Sequence, residues 1–240
     1  MGNKILLIII FTFFVFNLSG CGAKKANITE KRYLATGLLP RESIVILQSE
    51  SSNILSEDKE HSIETCMKTS MNLENPEINI VPSKDFRKAL FPGKKFDETP
   101  HTEKALILFL QDEKMRYQVQ KLGIRYLIGV GMTTQNSKKN SDFTADGGGG
   151  GAVLGIGQTW TRSSYISAFI IDVNQSATTG ELASSSYGTA GFIFPVVIII
   201  PVIVPLPPVP LISMTESEAC SALGKAVMTF IKGQGELPVK

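Results

Sequence analysis

The chain has 240 residues, a formal net charge of +2 and a charged fraction of 19%. That balance leaves no basic stripe for a phosphate backbone, so nucleic-acid binding is not expected. Forty-three per cent of the residues are hydrophobic, enough to build a sizeable core.

The first 20 residues stand apart. Lys4 supplies a positive start, and Ile5 to Phe16 form an apolar run interrupted only by Thr12. About a dozen residues are too few to cross a bilayer core of ~30 Å, so the run reads as the core of a secretory signal. Leu18-Ser19-Gly20-Cys21 then follows. The four resemble the bacterial lipobox, in which the cysteine thiol takes a diacylglycerol and, after cleavage, the freed amine is acylated. Several acyl chains hold a protein on a membrane where one is marginal. Gly22 is not the aspartate that would favour inner-membrane retention, so the expected location is the outer membrane, facing the periplasm. Residues 21–42 carry Lys24, Lys25, Lys31 and Arg32 with little periodicity and read as a lipidated, flexible tether with a span near 25 Å.

Residues 43–233 read as a single α/β domain, with 234–240 a tail. Ile44-Val45-Ile46-Leu47 is a β-branched run suited to a buried strand. Ser56 can cap a helix with Glu57, Asp58 and Glu60 in its first turn and Ile63, Met67 and Met71 on one stripe, Cys66 beside it. Ile78 to Val81 reads as a second strand, and Ser83 opens a short helix carrying Phe86, Ala89 and Leu90. One longer helix is expected from Thr102 to Leu122, with Leu108, Met115, Val119 and Leu122 inward and Gly123 as its cap. Ile124, Tyr126, Ile128, Val130 and Met132 alternate along the next strand, one face fully apolar. Tyr165 to Val173 is apolar on both faces, a central strand, and Glu181 to Tyr187 returns antiparallel. Thr215-Glu216-Ser217-Glu218 is a capping-box pattern before a last helix bearing Cys220, Leu223, Val227, Phe230 and Ile231. The order of elements predicts an α/β sandwich with a mixed sheet of about five strands.

The Leu122-Gly123-Ile124-Arg125-Tyr126-Leu127-Ile128-Gly129-Val130-Gly131 junction, and Phe169-Ile170-Ile171-Asp172-Val173 running to Thr179-Gly180-Glu181-Leu182, carry a resemblance. They are similar to motifs of the periplasmic α/β domains of the curli-secretion channel lipoprotein, the TolB N-terminal domain and related envelope-assembly lipoproteins. The chain departs from that pattern at Arg125, where an acidic residue is usual, and at Asn174 to Thr178, which lengthen the second motif. The resemblance implies the fold and an assembly role in the envelope. In the curli channel two segments per subunit supply barrel strands to a ring.

Two insertions depart from a plain domain. Residues 134–160 pass from a polar start into Gly147 to Gly151 and then Ala152 to Gly157. Neither phosphate-cradling glycine pattern occurs, so the segment reads as a flexible loop between strands. Residues 188–213 contain no charge. Six prolines between Pro195 and Pro210 argue against a helix and for an extended strand or arm. Phe192, Phe194, Ile199, Val204 and Leu206 are the residues there expected to meet a protein partner, another copy, or the membrane.

Chemistry is sparse. His61 and His101 read as solvated surface residues without companions for a metal or triad, and Asp172 as a turn-capping carboxylate. Cys66 and Cys220 remain once Cys21 is lipidated, either bonded to each other or, by default, two free buried thiols. The expectation is a non-enzymatic envelope lipoprotein without cofactor, metal or small-molecule substrate. A channel subunit is the first alternative and a periplasmic hydrolase the second.

Overall fold

The computed structural model describes residues 26–52, 55–148, 151–199, 202–205, 209–211 and 214–233, of which 138–158 and 189–211 by backbone alone. The chain divides into two compact units. One holds Ala26–Thr134, Ser164–Ser186 and Glu216–Lys240; the other holds Met1–Lys25, Gln135–Ser163 and Tyr187–Thr215.

The first of these is a three-layer α/β sandwich. Strand β2 (Ser43–Gln48) is buried at every position, as a strand with helices on both faces must be. It lies between β3 (Asn79–Val81) and β4 (Ile124–Gly148), parallel to both. Strand β5 (Gly151–Asp172) follows β4, and β6 (Ala177–Ile199) follows β5 after a four-residue turn. With β1 (Asn27–Arg32) the sheet order is β1-β6-β5-β4-β2-β3. The backbone N–H of Val173 donates to Arg125 O, the Ser163 hydroxyl donates to Gln135 O and Thr134 meets Ser164, all in one antiparallel β4/β5 register.

Alternation along β2 divides the core. Ile44 and Ile46 join helix α1 (Glu57–Glu74), through Ile63, Met67 and Met71, and helix α5 (Thr215–Ile231), through Leu223, Val227 and Phe230. Val45 and Leu47 face the other way, onto α2 (Ser83–Leu90), α3 (Glu103–Gln111) and α4 (Glu113–Lys121). Each fully buried aliphatic or aromatic side chain contributes about 1.5–3 kcal/mol. Cys66 and Cys220 are joined by a disulfide with Cα atoms 6.3 Å apart, fastening α1 to α5 on one face.

Several expectations need correction. The presumed tether contains β1, which pairs antiparallel with β6 from Asn27 opposite Ser185 to Arg32 opposite Gly180. Beyond it, the Tyr126 hydroxyl donates to Gly37 O and accepts from Gly37 N, each at 3.0 Å. Ser43 is therefore too late a start for the folded part. Strand β1 leaves no sequence signal because a solvated edge strand needs no apolar alternation. The single helix from Thr102 to Leu122 is two, since the Asp112 carboxylate caps α4 by accepting from Lys114 and Met115 N–H. Its inward residues are Leu106, Leu110 and Val119, while Leu108 and Leu122 are exposed. In the β2/β4 ladder Ser43 faces Ile124 but Ile44 faces Tyr126. Arg125 is thus a β-bulge, and Ile124 lands in the opposite core cluster from Tyr126. The expected flexible loop at 134–160 is instead largely strand, the later part of β4 and the start of β5.

Candidate functional site

Beginning at the residues, the two groups singled out for chemistry are both engaged locally. Asp172 is fully buried, its Oδ2 2.7 Å from Arg125 Nη2. Its Oδ1 accepts from the backbone N–H groups of Asn174 (2.8 Å) and Gln175 (3.3 Å), which fixes the β5–β6 turn. Partial burial works against the charge on Arg125. The facing Asp172, with Tyr126 and Glu42, outweighs it and raises the proton affinity of the guanidinium.

His101 is not a surface residue. It is 7% exposed, with Nδ1 3.1 Å from Gln48 O and Nε2 2.7 Å from Phe96 O. Beside it Arg87 holds Glu60 through two hydrogen bonds, 3.1 and 2.6 Å, and donates to Thr99. Glu60 in turn accepts from the Gln48 backbone N–H at 2.7 Å. This knot pins the loop after α2 to the end of β2. It is a structural lock, its polar groups meeting one another. His61 is exposed on α1. Among the described residues no cluster of three or more His, Cys, Asp or Glu side chains could hold a metal.

A groove of about 400 Å³ lies on the β1-β6-β5 part of the sheet, lined by Lys31, Glu103, Tyr165, Ser167, Phe169 and Glu181 among others. Tyr33 donates to Glu181, and that hydrogen bond, then desolvation, then the charges of Glu181 and Glu103 raise its pKa above the usual 10.0. Sequence reading missed this groove because β1, which supplies Lys31, carries no periodic signal.

The second unit holds the residues expected to meet a partner. Strand β7 (Val202–Pro205) pairs antiparallel with β6 from Val196 opposite Pro205 to Ile199 opposite Val202. Strand β8 (Val209–Leu211) pairs with it from Gly191 opposite Leu211 to Ile193 opposite Val209. Phe192 thus stands opposite Pro210, Ile199 opposite Val202 and Val204 opposite Val197, with Phe194 in β6 between the two pairings. The expected extended arm is a folded-back strand pair. Leu18, Ser19, Gly20, Cys21 and Leu206 lie outside the described residues. Among those described, no helix is long and apolar enough to cross a membrane.

No known family's sequence pattern matches the chain, and no curated protein matches it. Solved structures give distant likenesses. The PelC dodecamer from Paraburkholderia phytofirmans is 10% identical, covering 87% of this chain and 96% of that one with a TM-score of 0.33. Lipoprotein GNA1162 from Neisseria meningitidis is 10% identical over 61% of this chain and 83% of that one, TM-score 0.30. A neuraminyllactose-binding hemagglutinin homolog from Helicobacter pylori is 8% identical over 86% and 92%, TM-score 0.36. At these values the likenesses carry no argument about what the chain does.

Proposed function

We propose that the chain is a lipid-anchored lipoprotein of the cell envelope, most simply at the outer membrane facing the periplasm. It acts as a non-enzymatic assembly or interaction component, through surfaces rather than through bond chemistry. One observation carries the reading: a compact α/β sandwich is joined to a β-strand unit whose residues 188–213 hold no charge. An apolar stretch of that size is a liability unless something covers it. The lipobox-like Leu18-Ser19-Gly20-Cys21 supplies the address. Asp172 and His101, the residues with the best claim to catalysis, are held in a turn and in a structural lock.

A second reading, a subunit of an oligomeric secretion channel, draws on the pairing of β6 with β7 and β8. Strand pairs from several subunits are what a ring needs to close a barrel.

The test is twofold. Cys21→Ala should abolish labelling of the protein by a fatty-acid probe, and undiminished labelling would refute the lipid anchor. Light scattering and negative-stain imaging of the detergent-solubilised protein separate the two readings: closed rings favour the channel, a monomer the interaction component.

A further inference from the structure

The position of β1 changes what the anchor can reach. Asn27 begins β1 only six residues after Cys21. Six residues of fully extended chain span at most roughly 20 Å, less than the ~30 Å thickness of a bilayer's hydrocarbon core. Asn27 faces Ser185 on β6, and the two strands are antiparallel. The end of β1 towards Cys21 is therefore the end of β6 towards Gly188, where the charge-free stretch begins. An acylated Cys21 keeps that end of β6 close to lipid and rules out a long reach into the periplasm.

Two further features fit lipid as the occupant. Tyr187, exposed, and Trp160, half-buried, belong to the same compact unit as the apolar stretch, and Trp and Tyr are the side chains that settle at membrane–water boundaries. Much of the backbone hydrogen bonding of β6 is also met within the sheet. Strand β6 pairs with β5, and over Gly191–Ile193 and Val196–Ile199 also with β8 and β7. On the returning strands Pro205 and Pro210 carry no N–H, which leaves fewer donors for hydrocarbon to strand.

We infer that residues 188–213 pack into the bilayer to which Cys21 is anchored, with Trp160 and Tyr187 at the headgroup boundary. The inference rests on the lipoprotein reading above and names the partner of its apolar unit. Trp160 is the chain's single tryptophan and reports directly. The lipidated full chain is reconstituted into phosphatidylethanolamine/phosphatidylglycerol vesicles carrying bromine at shallow or deep acyl positions. Its emission is compared with that in unbrominated vesicles.

Expected is at least a twofold loss of Trp160 emission, larger with shallow than with deep bromines. Charges placed in the stretch, Val197→Asp with Ile198→Asp, should weaken the quenching while the disulfide and near-ultraviolet dichroism stay intact. Unquenched emission from protein that floats with the vesicles overturns the inference and leaves the lipoprotein reading standing. Crosslinking of 188–213 to a periplasmic protein under that condition would name the true occupant. Wild-type protein that does not float with vesicles overturns both.

Discussion

At the scale of single residues the structure turns on a few polar side chains whose partners are close at hand. Asp172 is held by an ion pair with Arg125 at 2.7 Å and by two backbone N–H groups that fix its orientation. Removing one member of a buried ion pair strands the other. Arg125→Met should therefore destabilise the protein by about 2 kcal/mol, the lower part of the range for charged hydrogen bonds because Arg125 keeps about a fifth of its side chain in water. Urea unfolding measures it, and a change below about 0.5 kcal/mol would show that the turn holds Asp172 without the guanidinium. Tyr33 makes a prediction in pH. Its hydrogen bond to Glu181 raises its pKa above 10.0, so the neutral phenol is the form the fold favours. Any stability it contributes is fully present below about pH 10 and fades as pH climbs through the raised value. In an alkaline absorbance titration, Tyr33→Phe should remove a component that ionises late; an unchanged titration would contradict the contact.

At the scale of elements, regular burial was readable from the sequence and irregularity was not. Strand β2 and the 165–172 part of β5 announce themselves as short apolar runs, and helices α1 and α5 because their apolar residues repeat with the period of a helix. Strand β1 does not: five of its six residues are exposed, so its place depends on backbone pairing that leaves no mark on side-chain type. The bulge at Arg125 escapes for a related reason, since alternation assigns faces only along an unbroken ladder. Asp112 did carry a signal, a good capping residue followed by Glu113, but apolar residues on both sides made one helix look continuous. For the candidate site, the extended character of 188–213 followed from its prolines, whereas its return as β7 and β8 is tertiary information. The Cys66–Cys220 bond was open from sequence because spacing along a chain does not say which helices share a face. It joins α1 to α5 across 154 residues of chain, a long loop whose closure restricts the unfolded state strongly. Cys66→Ala with Cys220→Ala should lower stability by about 2–4 kcal/mol, and reductant should lower the thermal midpoint of the wild type alone. Equal midpoints with and without reductant would mean that the bond adds nothing to the fold.

At the scale of the whole molecule, the proposed reading gives the two units different demands on their surroundings, and separating them tests it. Among the residues whose side chains the structure describes, every member of the two core clusters lies outside 135–163 and 187–215. The disulfide, the Glu60–Arg87 lock and the Asp172 turn lie outside them as well. The cut ends are also close. Thr134 and Ser164 are hydrogen-bonded neighbours 3.3 Å apart at their hydroxyls, so an Asn-Gly turn can join β4 to β5 there. Glu216 accepts from Thr134 at 2.7 Å. Ser186 lies on β6, two strands away from β4, roughly 10 Å at the usual strand spacing, which about five Gly/Ser residues bridge. A chain starting at Ala26 with both segments replaced in this way should be a soluble monomer without detergent. It should unfold in a single cooperative transition with Cys66–Cys220 intact, whereas the full lipidated chain should need detergent or vesicles. Cooperative unfolding at normal ionic strength, together with a monomer's sedimentation, would place the demand for a covering surface in the β-strand unit alone. A truncated chain that aggregates, or that binds a hydrophobic dye like a molten state, would instead show that residues of 135–163 or 187–215 complete the α/β core, and the sandwich would then be one part of a single folding unit.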